Sequence, residues 1–134
     1  MQISGEPRWL DETMLLAIHA QQIERYGGAH GILTPDMVRS ALARPIHRWA
    51  YDPEADLADL TACYLVGLAR AHGFVDGNKR TALAGALVFL ALNGFSLHVP
   101  PKELYALVMQ VATNKADDEI VAAYLRSKAV PSPG

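Results

Sequence analysis

The chain has 134 residues, with 51% hydrophobic and 19% charged residues and a formal net charge of -2, enough for one domain that buries about two thirds of its unfolded surface. That balance excludes a disordered chain and supplies no overall basic field, so direct nucleic-acid binding is not expected. The single cysteine, Cys63, excludes an internal disulfide and suits a reducing, cytoplasmic setting.

In chain order, MQISGEPRWLDE lacks a basic region followed by an apolar core, so no signal peptide is expected. LDETMLLAIHAQQIERYGG places Met14, Leu15, Ile18, Gln22 or Ile23, and Tyr26 at helical spacing, and Gly27-Gly28 supplies a stop. TPDMVRSALARP predicts a short second helix with Thr34 as N-cap, Pro35 in its first turn and Pro45 closing it. DPEADLADLTACYLVGLARAHG predicts a third, capped by Asp52 and stopping at Gly73. NKRTALAGALVFLALNG is apolar nearly all round from Ala82 to Leu92, which predicts a helix in the middle of a bundle, ended by Asn93-Gly94. FSLHV can form a short extended piece.

PPKELYALVMQVATN and ADDEIVAAYLRSKA predict two further helices, the second with acidic residues in its first turn and Arg126 and Lys128 in its last, as the helix dipole favours. The tail, residues 130–134, is expected to fray. The uncharged stretch from Thr81 to Val99 is broken by Asn93, Gly94 and His98, so no membrane span is expected. The fold class is therefore all-α, a single-domain compact bundle of about six helices over residues 1–134.

The chemistry concentrates in HGFVDGNKR, residues 72–80, the turn between the third and fourth helices. A helix start presents unpaired N–H groups and a positive dipole end, which favours an anion. Gly77 lets a ligand approach the backbone, and Lys79 and Arg80 add cations where they oppose the dipole, at a cost of roughly 0.3–1 kcal/mol each unless an anion sits between them. Polyphosphate fits. Asp76 beside those cations is explained if it holds a Mg²⁺ that bridges phosphate oxygens, and His72 can take a proton from a hydroxyl near neutral pH. Each residue also has an ordinary role: Asp76 as N-cap, His72 as a helix-terminal residue, Lys79 and Arg80 as a solvated face, Asn78 as turn chemistry. Those roles leave unexplained why cations, glycine, carboxylate and helix start coincide.

The stretch resembles the signature of the Fic/Doc family, His-x-Phe-x-Asp/Glu-x-Asn-Gly/Lys-Arg, through His72, Phe74, Asp76, Asn78, Lys79 and Arg80. IHAQQIERYGGAHGI (18–32), SALARP (40–45) and the segment 61–94 resemble the Doc (death-on-curing) toxin branch, so most of residues 14–94 is covered. The resemblance implies that His72 is the catalytic base, that Asp76 holds Mg²⁺, that Gly77, Asn78, Lys79 and Arg80 bind the phosphates of ATP, and that Phe74 anchors the loop. AMP-transferring members carry Gly where this chain has Lys79 and a second Arg where it has Leu83. Doc-type members share the lysine, which implies a reversed nucleotide and transfer of the γ-phosphate to a Thr hydroxyl of elongation factor Tu, arresting translation. A Phd-like antitoxin is the implied partner; the chain has no Ser/Thr-x-x-x-Glu-Gly/Asn inhibitory helix, so control in trans is expected. The alternatives are a Fic-type AMP transferase and a non-catalytic antitoxin-binding scaffold.

Outside the motif, His19 reads as a satisfied core-edge histidine, and Trp49 and Tyr51 as core. Tyr26-Gly27-Gly28 reads as a helix stop whose following loop can flank the site. His30, His47 and His98 have no ligand spacing to one another or to Cys63, so no transition-metal site is expected.

Overall fold

The structure is a computed structural model and describes residues 1–133. Six helices and a two-stranded sheet follow in order: α1 Glu12–Tyr26, α2 Pro35–Tyr51, α3 Leu57–Ala71, α4 Asn78–Leu92, β1 Phe95–Leu97, α5 Pro101–Ala112, α6 Asp118–Lys128 and β2 Ala129–Pro131. Among the described residues no helix is long and apolar enough to cross a membrane.

The middle of the bundle is α3, not α4. Leu57, Ala58, Leu60 to Val66, Leu68 and Ala69 are all buried, because α2, α4, α5 and α6 pack around this one helix. Helix α4 buries a single face, Thr81, Ala82, Gly85, Ala86, Phe89 and Leu90. Its small residues let it lie close to its neighbours: a Cβ added to Gly85 would stand 3.2 Å from Leu10 Cδ2 and 3.5 Å from Leu15 Cδ1. Leu83, Leu87, Val88 and Leu92 stay half-buried, so a helix apolar all round here marks one wall of the bundle rather than its axis.

Two helix boundaries differ from the sequence expectation. α2 runs through Pro45 to Tyr51, because a proline forfeits one backbone bond while Pro45 is buried and Trp49 packs against the core, edge-on to Trp9 at 6.0 Å. Tyr51, expected in the core, is 74% exposed. α3 is capped by Asp56 and not Asp52: Asp56 and Asp59 accept each other's backbone N–H at 3.0 Å in a capping box, whereas Asp52 ends α2.

The chain ends are tied down. The Tyr64 hydroxyl accepts from Leu10 N–H at 3.0 Å and donates to Leu10 C=O at 3.2 Å, and the Asn93 carboxamide accepts from Arg8 N–H and donates to Arg8 C=O. The expected fraying of residues 130–134 is corrected over 130–132. β2 pairs antiparallel with β1, Ser96 opposite Val130, and Ser132 N–H reaches Gly94 C=O at 2.8 Å. Gly134 lies outside the described residues.

Arginines fasten the outer helices. Arg126 of α6 donates to both Asp56 oxygens, at 2.8 and 3.1 Å, and to Asp59 at 3.2 Å. Arg70 donates to the carbonyls of Val111 and Ala116, where α5 ends. On the opposite side the α1–α2 loop lies against the α3–α4 loop: Ile32 bridges Phe74, Leu33 and Thr34 N–H both reach Gly73 C=O, and Val75 N–H reaches Gly31 C=O. Gly73 is required by this contact, since a Cβ there would collide with Val38 Cγ2 of α2.

Two stability outcomes follow from these contacts. Burial works against the charge on Asp56, but Arg126 and the Asp59 N–H outweigh it and hold the carboxyl below its ordinary value. The ion pair therefore contributes fully above about pH 4 and is lost as pH falls through the depressed folded value. Arg126→Leu will lower the melting temperature at pH 7, and thermal scans will show the gap to wild type closing as the pH is taken down through the carboxylate range. Gly73→Ala will cost about 1–3 kcal/mol in urea unfolding, and adding Val38→Ala will return part of it.

Candidate active site

The α3–α4 loop, residues 72–77, is where the sequence-selected residues meet. His72 ends α3 in the left-handed region, at φ 48° and ψ 43°, which costs a non-glycine residue about 1 kcal/mol. It directs an exposed imidazole outward, while its carbonyl accepts from Thr34 Oγ1 at 3.2 Å. Strain of this kind persists where surrounding contacts over-determine it.

Those contacts centre on Phe74. Its ring is buried and stacks on the buried His19 imidazole at 3.9 Å between centroids. The Asn78 carboxamide accepts from Phe74 N–H and donates to Phe74 C=O, both at 2.9 Å, so one side chain closes the loop as a paired strand would. His19 Nε2 lies 2.8 Å from the Asp76 carbonyl, and a carbonyl only accepts, so Nε2 carries the proton. His19 is thus the satisfied core-edge histidine expected, and it also supports the loop.

Asp76 does not cap α4. The cap is Gly77, at φ 76°, with no side-chain bond to the helix start. Asp76 Oδ2 instead accepts from Ala29 N–H at 2.8 Å, which ties it to the α1–α2 loop. Its other oxygen has no protein donor among the described residues and its side chain is exposed. Among the described residues there is no group of three or more His, Cys, Asp or Glu able to hold a metal ion. One free carboxylate oxygen suits Mg²⁺ arriving with phosphate oxygens and water, and does not suit an all-protein metal cage.

The start of α4 is left open to an anion. Gly77, Asn78, Lys79 and Arg80 N–H have no protein acceptor among the described residues, the arrangement in which a helix terminus receives phosphate. Lys79 is exposed and makes no salt bridge among them. Arg80 is committed elsewhere: its guanidinium donates to Gln22 C=O at 3.2 Å and Gly27 C=O at 2.9 Å, and lies 5.9 Å from the Tyr26 ring centroid. It caps the end of α1, as cations at helix C-termini do. The α1–α2 loop therefore does flank the site, closely enough that a Cβ on Gly28 would stand 3.1 Å from Asp76 Cβ.

A cleft of about 300 Å³ opens at this helix start, lined by Gly77, Asn78, Lys79 and Arg80 and, beyond the motif, by Leu83, Tyr105 and Val108. The α5 residues carried no local signal, since a groove wall contributed across a bundle leaves no spacing to read. Ile32, Leu33 and Val75, in the two loops that meet here, and Met37, in the first turn of α2, are exposed apolar residues. Cys63 is excluded as a nucleophile. Burial, with Asp118 adding to it, pushes its thiol up to about 11, so the thiolate is scarce near neutral pH.

The family model for the Fic/DOC family matches residues 9–90, which contain every element that builds this loop. The chain is 40% identical over 119 residues to the protein kinase doc of Escherichia phage P1, covering 89% of this chain and 94% of that protein. It is 37% identical over 103 residues to the toxin Doc of Mycolicibacterium smegmatis (strain ATCC 700084 / mc(2)155), covering 75% of this chain and 79% of that protein. With its motif residues gathered on one loop, its family match spanning most of the chain and both relatives aligned over most of their length, this chain belongs to the Fic/Doc family.

Proposed function

We propose that the chain is the toxin of a toxin–antitoxin pair, a Doc-like protein kinase that transfers the γ-phosphate of ATP to a Thr hydroxyl of elongation factor Tu. The observation that carries this reading is the single loop that joins an outward imidazole, a half-free carboxylate and a helix start with no side-chain cap, beside a lysine that makes no salt bridge among the described residues. A relative over nearly its whole length is named a protein kinase, which supports the kinase reading over the AMP-transferase one. Its place of action is then the cytoplasm.

In this reading His72 takes the proton of the attacking hydroxyl. The oxygen forms its bond to the γ-phosphorus as the bond from that phosphorus to the β–γ bridging oxygen breaks, and ADP leaves. The N–H groups of Gly77, Asn78, Lys79 and Arg80 receive phosphate oxygens, with Lys79 adding its ammonium. Asn78 and Arg80 serve through the backbone, because their side chains hold Phe74 and the end of α1. Asp76 is the residue that would hold Mg²⁺, which, when bound, neutralises charge on the phosphates. Phe74 anchors the loop. The exposed apolar side chains of Ile32, Leu33 and Val75, in the loops that meet at the motif, give a protein substrate a surface to rest on. A Phd-like antitoxin supplies control in trans.

The test is transfer of label from γ-labelled ATP to purified bacterial elongation factor Tu in the presence of Mg²⁺. His72→Ala is expected to lower transfer by about 10²–10⁴-fold, the range of a general base, and Asp76→Ala to abolish the Mg²⁺ response. Label from α-labelled ATP in place of γ-labelled ATP would make the protein an AMP transferase. Label from neither would leave the scaffold reading. Lys79→Gly is expected to reduce γ-transfer by roughly ten- to a hundredfold, the loss of one charged phosphate contact, with little change in melting temperature, because removing a cation that opposes the helix dipole offsets the cost of glycine in the first turn of α4. Expression of the wild type will arrest growth of a bacterial host, and expression of His72→Ala will not.

A further inference from the structure

The buried face of α1 consists of Leu15, His19 and Ile23, and His19, 4% exposed, is its one polar member. A buried polar ring is costly unless it is hydrogen-bonded, and this one has a single hydrogen bond among the described residues, from Nε2–H to the Asp76 carbonyl at 2.8 Å. That carbonyl has no other donor among them. The Asp76–Gly77 peptide is trans, and in a planar trans peptide the C=O and the N–H that follows it point in opposite directions. With the carbonyl turned onto α1, the Gly77 N–H is turned away from α1, and no protein group among the described residues accepts it there. No other hydrogen bond fixes this plane: Ala29 N–H holds the Asp76 carboxylate rather than the peptide after it, and Gly77, at φ 76°, has no Cβ to resist a turn of the plane.

From this we infer that His19 is a positioning residue of the phosphate site: by holding the Asp76 carbonyl against α1, it aims the Gly77 N–H at the bound phosphate. The inference rests on the phosphate site proposed above. A turned plane does more than lose a donor, since it presents a carbonyl oxygen to an anion. The N–H groups of Asn78, Lys79 and Arg80 are independent of His19, because their direction is set by α4 itself. The stack of His19 on Phe74, at 3.9 Å and 11°, is a separate contact made through the ring face. The ring therefore packs the loop, and the Nε2 proton orients one peptide within it. Substitution separates the two tasks: Phe keeps a ring and loses the donor, whereas Gln loses the ring and carries an amide N–H at a similar reach.

The experiment is calorimetric titration of inorganic tripolyphosphate, with Mg²⁺, into the full chain as wild type, His19→Phe and His19→Gln, at a temperature well below the lowest melting midpoint, with backbone amide NMR spectra recorded alongside. His19→Phe is expected to bind about tenfold more weakly, the loss of one hydrogen bond to a charged group, and His19→Gln to recover most of that loss. At saturation, tripolyphosphate should shift the amides of Gly77, Asn78 and Lys79 in the wild type, and in His19→Phe should shift those of Asn78 and Lys79 but not that of Gly77. Equal weakening in the two variants, or a Gly77 amide that responds in His19→Phe as it does in the wild type, would overturn the positioning role and leave the phosphate site standing. Should neither variant fold, the wild type decides alone: a Gly77 amide that moves with tripolyphosphate supports the role, and one that stays still while Asn78 and Lys79 move overturns it. Failure of the wild type to bind tripolyphosphate would remove the phosphate site, and the role of His19 with it.

Discussion

The paired hydrogen bonds between the Asn78 carboxamide and the Phe74 backbone carry the site. A loop of six residues between two helices has few backbone partners of its own, and every unmet buried group costs free energy. Asn78 meets both groups of Phe74 from inside the first turn of α4, so the loop and the helix start become one rigid unit. With that closure made, the Phe74 ring is directed onto His19, His72 is held in a left-handed turn, and Gly77 is left to open the helix. The left-handed turn at His72 is costly alone. The closure and the buried ring keep them together.

The α1–α2 loop completes the frame from the other side. Ala29 N–H fixes one Asp76 oxygen and leaves the other free, and Arg80 holds the end of α1 through Gln22 and Gly27. The motif's two cations thus divide their work. Arg80 spends its charge on helix carbonyls within the protein, and Lys79 keeps its charge for what arrives from solvent. Repulsion between two cations at a helix start is reduced when one of them is neutralised by a neighbouring helix dipole.

Much of this was legible in the sequence. The helical class, the six helices and the placing of the motif between α3 and α4 follow from periodicity and from Gly and Asp punctuation, which act locally. The errors share a cause. Asp52 and Asp56 both offer a cap, and only the capping box with Asp59 and the reach of Arg126 decide between them. Pro45 reads as a stop because the packing that carries α2 past it is tertiary. α4 reads as central because composition counts apolar residues without showing which of them the rest of the chain covers. Within the site, the identities of Asn78 and Arg80 could be read but not the direction of their side chains. That direction depends on Phe74 and on the end of α1, which arrive from elsewhere in the chain. Tyr105 had no signal at all.

The position of α6 has a consequence for the order in which the molecule is made. Helix α3 ends at His72, yet it is covered by α6, the last helix, and Arg126 from α6 fastens its first turn. Chains emerge amino-terminus first, so the motif leaves the ribosome well before the helix that secures its scaffold. Until α6 docks, one side of α3 is uncovered. A chain that ends before α6 therefore carries the full set of motif residues with one side of α3 left bare. The helix that covers this side of α3 is thus made after the motif it helps to support.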